Sequence, residues 1–259
     1  MLAFSDILGA YPHHLQRFRR SILREYLQYK ILQIIFDSAF SSKLIFLGGT
    51  ALRIVHQNSR FSEDIDFDNL NLTEKDFNKI TEIVKKSLEY EGYQVEIKNV
   101  HKGAYRCYLR IPHLLFDYKL SNHFEEKLLI QLDTQAQGFD YQPMRYLLNK
   151  FDVLTEVLVT PPATLLAQKI YTAYHRPRPK GRDFYDILFL LGRTTPDYKY
   201  LTQKIAIKDA EELKTFFKIK NPELDFKALA KDVAPFLFNP QDVTKIEKFA
   251  QIIESQKLD

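Results

Sequence analysis

Asp64, Ile65, Asp66, Phe67 and Asp68 alternate carboxylate and apolar side chains. A period of two belongs to a strand with one buried face. It sets Asp64 and Asp66 on one side, about 7 Å apart along the backbone. Ile65 and Phe67 turn to a core. Two like charges held that close repel, and the placement makes sense where a divalent cation compensates them. Oxygen-only ligands suit Mg²⁺, with Mn²⁺ as the alternative, bridging carboxylates to substrate phosphates. The chain is therefore expected to build a small mixed sheet with this pair on its open face.

Upstream, residues 43–47 form a short apolar run closed by Gly48-Gly49, which reads as a strand and a tight turn. Residues 50–57 are good helix formers and predict a short helix. Backbone N–H groups at the turn, with the Thr50 hydroxyl, are expected to cradle phosphate oxygens. Glycine lets the backbone approach the ligand. An isolated Asp-x-Asp also occurs in solvated turns and at helix starts, and a lone Gly-Gly is no more specific. Strand, Gly-Gly-Thr, short helix and Asp-x-Asp in that order are far more so.

Around this stretch the pattern predicts an α+β protein. Helical spacing marks an opening helix over 14–40. Thr73 with Asp76 three residues on resembles a helix start, and that helix should stop at Gly92. Residues 93–100, 105–111, 127–134 and 153–160 read as strands. Pro161-Pro162 follows, and then only helices, first 163–176 and 182–191. Flanking helices and sheet would make one domain of residues 1–160. An all-helical domain over 161–259 would complete the active-site cleft.

Composition removes several classes. One cysteine, Cys107, excludes an intramolecular disulfide framework and a cysteine zinc site. The histidines form no metal-binding motif. The longest apolar runs, such as 187–191, are too short to span a bilayer. Asp6, Pro12, His13 and His14 interrupt any signal-peptide run, so a cytoplasmic protein without membrane contact is expected. The net charge of +4 permits nucleic-acid binding without requiring it. Arg17, Arg19, Arg20 and Arg24, with Tyr26 and Tyr29, could face RNA or an acidic partner, or simply solvent.

GGTALR followed by RFSEDIDF resembles the first signature of the AbiEii/AbiGii toxin family. These are nucleotidyltransferase-like proteins related in fold to the polymerase β superfamily. The superfamily's pattern is a hydrophobic residue, Gly-Gly or Gly-Ser, a helix, then Asp-x-Asp on the next strand. Gly48, Gly49, Asp64 and Asp66 occupy it here. The family also carries a downstream lysine and Arg-Asp-x-x-Asp. Lys169 and residues 182–186 match these. Lys169, Ala173 and Arg176 share one helical stripe, and Asp183 and Asp186 share a face of the next helix. Read alone, this is a helical hairpin with a basic loop, its Asp favoured near a helix N-terminus.

The resemblance implies more. Lys169 would sit at the nucleotide phosphates with Asp183 and Asp186 nearby. Asp186 would be the candidate general base and Asp183 its substitute. The superfamily's third carboxylate would be Asp133, which alternation places on one face with Leu129 and Gln131. Asp117 and Asp140 lie in loop-like surroundings. Arg53 and Ser62 of the first signature would help bind nucleotide, or Ser62 would bond the loop before the metal strand. Arg60 would pair with nearby acidic residues.

The implied activity is Mg²⁺-dependent transfer of a nucleotidyl group from a nucleoside triphosphate to an acceptor. The implied role is the toxin of a type IV toxin–antitoxin or abortive-infection system, with a winged-helix antitoxin as partner. A tRNA 3′ end is the acceptor for some relatives, while others are described as GTP-binding. A small-molecule nucleotidyltransferase of the antibiotic-modifying kind would share the Gly-Gly and Asp-x-Asp parts without needing Lys169 or Arg-Asp-x-x-Asp. A nucleotide-binding interaction module would not need Asp64, Asp66 and Lys169 intact. A glycosyltransferase would not need the Gly-Gly-Thr turn.

Overall fold

The sheet has seven strands, of which the inner ones bury apolar residues: β1 (Leu44–Leu47), β2 (Ile65–Asn69), β3 (Glu96–Lys102), β4 (Ala104–Ile111), β5 (Leu128–Gln135), β6 (Met144–Lys150) and β7 (Val153–Val159). The computed structural model describes residues 2–259. Its strands form one mixed sheet in the order β3-β4-β5-β2-β1-β7-β6. The β1–β7 and β2–β5 pairs are parallel and the others antiparallel. Burial in β5 alternates as expected, with Leu128, Ile130 and Leu132 inside.

The chain divides into two compact units. The first comprises Met1–His56 and Phe61–Val159, and the second Gln57–Arg60 and Thr160–Asp259. The first holds the sheet with helices α1 (Phe4–Gly9), α2 (Arg19–Phe36), α3 (Gly48–Ile54), α4 (Glu74–Tyr90) and α5 (Leu114–Asp117). α2 buries residues on most of its faces, among them Ile22, Leu23, Tyr26, Leu27, Ile31 and Ile35. α4 buries one stripe, Phe77, Ile80, Thr81, Val84 and Leu88. Its start is the expected one: Thr73 caps the helix and Asp76 closes the box.

The second unit is helical: α6 (Pro162–His175), α7 (Gly181–Leu191), α8 (Tyr198–Ile205), α9 (Ala210–Lys220), α10 (Phe226–Val233), α11 (Val243–Glu247) and α12 (Phe249–Ser255). Gly181 is needed where α7 meets α10. A Cβ there would lie 2.8 Å from the Leu229 carbonyl carbon and closer to its oxygen. Gln57–Arg60 is pinned into this unit by backbone pairing. Arg60 bridges Leu237, and Phe238 N–H donates to the Ser59 carbonyl at 3.1 Å.

Several expectations shift. The opening helix is broken into α1, a 3-10 turn at His13–Leu15 and α2. Tyr26 and Tyr29 are buried in the core and offer no stacking surface. Arg20 pairs with Glu126, and Arg24 with Glu63. β6 escaped the sequence reading because only Leu148 of its seven residues is buried. Its hairpin turn uses Phe151 at φ +60° where glycine would have signalled it. Among the described residues no helix is long and apolar enough to cross a membrane.

Candidate active site

In the first unit, β1 runs directly into α3, so Gly48 is the first helical residue and stands at φ +80°. That conformation favours glycine, and the local packing requires it. A Cβ on Gly48 would lie 2.9 Å from both Cβ and Cγ of Asp66, and nearer still to its carboxylate. The Asp66 side chain therefore lies against the glycine turn. β2 begins at Ile65, so Asp64 stands just ahead of the strand, and both aspartates are half-buried. On the next strand Asp133 is the direct register partner of Asp66. Parallel partners share a face, with strands about 4.8 Å apart. The sheet thus brings Asp66 and Asp133 side by side. Asp68 is withdrawn: it is buried and accepts from Gln137 N–H at 2.8 Å and Tyr141 O–H at 2.9 Å.

The other expected residues around this face have different tasks. Thr50 is buried, and its hydroxyl donates to the Asp64 carbonyl. It braces the loop ahead of β2. Gly49 is buried. Arg53 is held by the buried Glu25, Nε to Oε2 at 2.8 Å, and Glu25 also meets Lys150 at 3.2 Å. Arg53 is therefore committed to an internal ion pair that the sequence did not signal. Ser62 is half-buried, and its carbonyl accepts from Gln28 Nε2 at 3.1 Å. Asp133 is bound by Arg106 Nε at 2.7 Å and by Gln131 Nε2 at 2.7 Å. Cys107 is buried, its thiol pushed up to about 12 chiefly by burial, so it is inert packing.

Among the described residues no three His, Cys, Asp or Glu side chains converge closely enough to hold a metal ion unaided. Mg²⁺, however, is usually held by one or two carboxylates together with substrate phosphates. Asp64 and Asp66 supply oxygen donors of that kind beside a glycine turn, with Asp133 alongside. The donor set fits Mg²⁺ and gives it no closed protein cage.

The second unit carries an ion network. Lys169 on α6 pairs with Asp183 at 3.1 Å and Asp186 at 2.9 Å, both on α7. Arg176 takes the other Asp183 oxygen at 2.6 Å. Asp186 is fully buried and receives Arg60 twice, Nε at 2.7 Å and Nη2 at 2.6 Å, and Asn58 Nδ2 at 2.8 Å. Burial would raise this carboxyl, but Arg60 and then Lys169 outweigh it and hold it below the usual carboxylate range. Burial likewise opposes the Lys169 charge, and Asp186 and Asp183 reverse that and raise it. A carboxylate so enclosed, with Arg60, Asn58 and Lys169 on its oxygens, is poorly placed to take a proton from an acceptor. Asp186 orients cations in this structure, and the general-base expectation does not suit it. Arg60 meets an aspartate 126 residues away rather than its sequence neighbours. No local feature of the sequence pairs Arg60 with Asp186.

The family model described as "Nucleotidyl transferase AbiEii toxin, Type IV TA system" matches residues 30–255. The chain belongs to the AbiEii nucleotidyltransferase toxin family. Two solved structures from Helicobacter pylori have the same fold. JHP933 is 17% identical with a TM-score of 0.52, over 91% of this chain and 92% of its own. A candidate nucleotidyltransferase is 18% identical with a TM-score of 0.55, over 91% and 95%. At that identity they establish the fold alone. No curated protein matches. The family is one of nucleotidyl transferase toxins of type IV toxin–antitoxin systems, which implies a nucleoside triphosphate substrate and an antitoxin partner.

Proposed function

We propose that this AbiEii protein uses Mg²⁺ and a nucleoside triphosphate to transfer a nucleotidyl group to an RNA 3′ end, as in tRNA. The observation that carries the reading is the Asp66 carboxylate set against Gly48 with Asp133 in register beside it. Asp64 and Asp66 would hold the cation, which when bound neutralises charge on the triphosphate. Lys169, kept charged by its aspartates, serves the nucleotide phosphates as a point charge. The acceptor hydroxyl attacks the α-phosphorus and pyrophosphate leaves. The hydroxyl proton passes to a carboxylate of the sheet face, because Asp186 is sealed and its oxygens are taken by Arg60, Asn58 and Lys169.

An RNA acceptor is supported by the basic stretch 169–182, where Arg178 and Arg182 stand beside the ion-paired Lys169, Arg176 and Lys180. The partner is proposed to be a winged-helix antitoxin, and co-expression with the neighbouring gene product tests that by complex formation. The central test incubates the protein with each labelled triphosphate, Mg²⁺ and total RNA. Label should enter RNA. Asp64→Ala and Asp66→Ala should each cut the single-turnover rate by roughly 10³-fold or more, about 4 kcal/mol of transition-state stabilisation. Mg²⁺-dependent labelling unchanged in both variants refutes the assignment.

A further inference from the structure

The segment Gln57–Arg60 leaves the sheet unit and is paired into the helical unit, four residues before Asp64 in the chain. Its Arg60 is 1% exposed and donates from Nε and Nη2 to the two oxygens of Asp186. Burying such a pair is costly, and well-packed apolar side chains of similar volume are often as stable. Stability alone therefore gives little reason for this arrangement.

The charges supply a reason. Arg60, Lys169 and Arg176 stand against two carboxylates, Asp183 and Asp186, so the cluster carries one excess positive charge. Lys169 gives one N–H to each aspartate, and its third has no partner among the described residues. Lys169 is also the least sealed of the three residues at the centre, its side chain 13% exposed against 1% for Arg60 and 0% for Asp186. Without Arg60 the Asp186 carboxylate would bear on Lys169 alone, and the cluster would be neutral.

We infer that Arg60 is a positioning residue for nucleotide binding. It takes up the Asp186 charge, so that the Lys169 ammonium stays aimed and the cluster keeps a surplus charge for a polyphosphate. Asn58 assists by donating to the same carboxylate at 2.8 Å. This inference rests on the nucleotide reading above and adds the residue that sets the strength of that binding.

The test is a titration of wild type, Arg60→Gln, Arg60→Lys and Arg60→Gln/Asp186→Asn with the four Mg-triphosphates and with inorganic tripolyphosphate, which removes any base preference. Arg60→Gln makes the cluster neutral and should weaken tripolyphosphate and nucleotide binding by about 10-fold or more, the scale of one charged hydrogen bond. It should also flatten the dependence on salt. The double variant restores the surplus charge with an uncharged amide pair and should recover most of the lost affinity. Arg60→Lys should fall between wild type and Arg60→Gln.

A merely structural Arg60 would leave the double variant as weak as the single one, or weaker. That result overturns the inference, as does wild-type affinity in Arg60→Gln. If Arg60→Gln fails to fold, as circular dichroism would show, the double variant and Arg60→Lys decide it, since neither buries an unpaired charge. Wild-type protein that binds no triphosphate and no tripolyphosphate overturns the nucleotide reading and this inference with it. Wild-type labelling of RNA with no effect of Arg60→Gln on binding overturns the inference alone.

Discussion

The molecule carries two close pairs of aspartates with opposite surroundings. Asp64 and Asp66 are half-buried at the start of a strand, on a sheet face that also presents Asp133. Asp183 and Asp186 lie on a helix with side chains 3% and 0% exposed, and arginine and lysine reach both of them. The spacing explains part of this. Two residues apart on a strand and three apart on a helix both put carboxylates on one side. What differs is what the fold delivers to that side. The sheet delivers a glycine turn and Asp133, itself held by Arg106. The helical unit delivers Lys169 from α6, Arg176 after it, and Arg60 from a separate excursion. Motif spacing says that two carboxylates act together. In the helical unit the counter-charges tie both carboxylates to their own lysine.

The sharpest way to break this comparison is to delete one carboxylate from each pair and measure stability. Asp186→Ala leaves Arg60 and Lys169 buried without their shared anion and should cost about 3–5 kcal/mol in urea unfolding. Asp66→Ala removes one member of a carboxylate group and should leave metal-free stability unchanged or slightly raised. Equal losses in the two variants would mean that the sheet-face pair is structural too.

Acid sharpens the same contrast. The Asp186 carboxyl is held below its ordinary value in the folded protein. Its contribution is therefore complete above the unfolded carboxyl pKa of about 3.9 and is lost as pH falls through the lower folded value. Below about pH 4, stability should fall more steeply in wild type than in Asp186→Asn, which binds no proton there. Parallel acid limbs for the two proteins would assign acid sensitivity to other groups.

Gly48→Ala probes the sheet face without touching an ionisable group. It forces a side chain onto a φ of +80° and into the Asp66 carboxylate. The backbone strain alone is about 1–3 kcal/mol. Since Asp66 must move, turnover should drop along with stability, whereas a purely conformational glycine would cost stability only. Stopped single-turnover rates on folded variant separate the two.

Much of this was legible beforehand. The alternation of residues 64–68 and 128–134 placed β2 and β5, and the same parity put Asp133 on an open face. Helical spacing paired Asp183 with Asp186, and the family resemblance set Lys169 near them. What stayed hidden depends on contacts between segments far apart in the chain. Glu25 capturing Arg53, and Arg60 capturing Asp186, each join residues whose local sequence says only that they are charged. The burial of Thr50 was hidden for a similar reason. A hydroxyl beside a glycine turn can face a ligand or brace the neighbouring loop, and only the position of the Asp64 carbonyl decides. β6 was missed because an edge strand with one buried residue carries almost no periodic signal.

The smallest expected effect calibrates the rest. Thr73 caps α4, its hydroxyl accepting from Asp76 N–H at 3.2 Å while Asp76 Oδ2 accepts from Thr73 N–H at 3.3 Å. Lys43 closes on the same carboxylate at 2.7 Å, and Lys43 and Thr73 together hold the Asp76 carboxyl down to about 2. Thr73→Ala removes the side-chain acceptor and should cost about 1 kcal/mol. No residue of either aspartate pair takes part in this cap, so nucleotide affinity and single-turnover rate should stay at wild-type values. That outcome would show that a loss of this size does not by itself slow transfer. The larger effects in Gly48→Ala and Asp66→Ala could then be read as local to the sheet face. A slowed Thr73→Ala would instead mean that turnover follows global stability, and every rate measured on the other variants would need correcting for it.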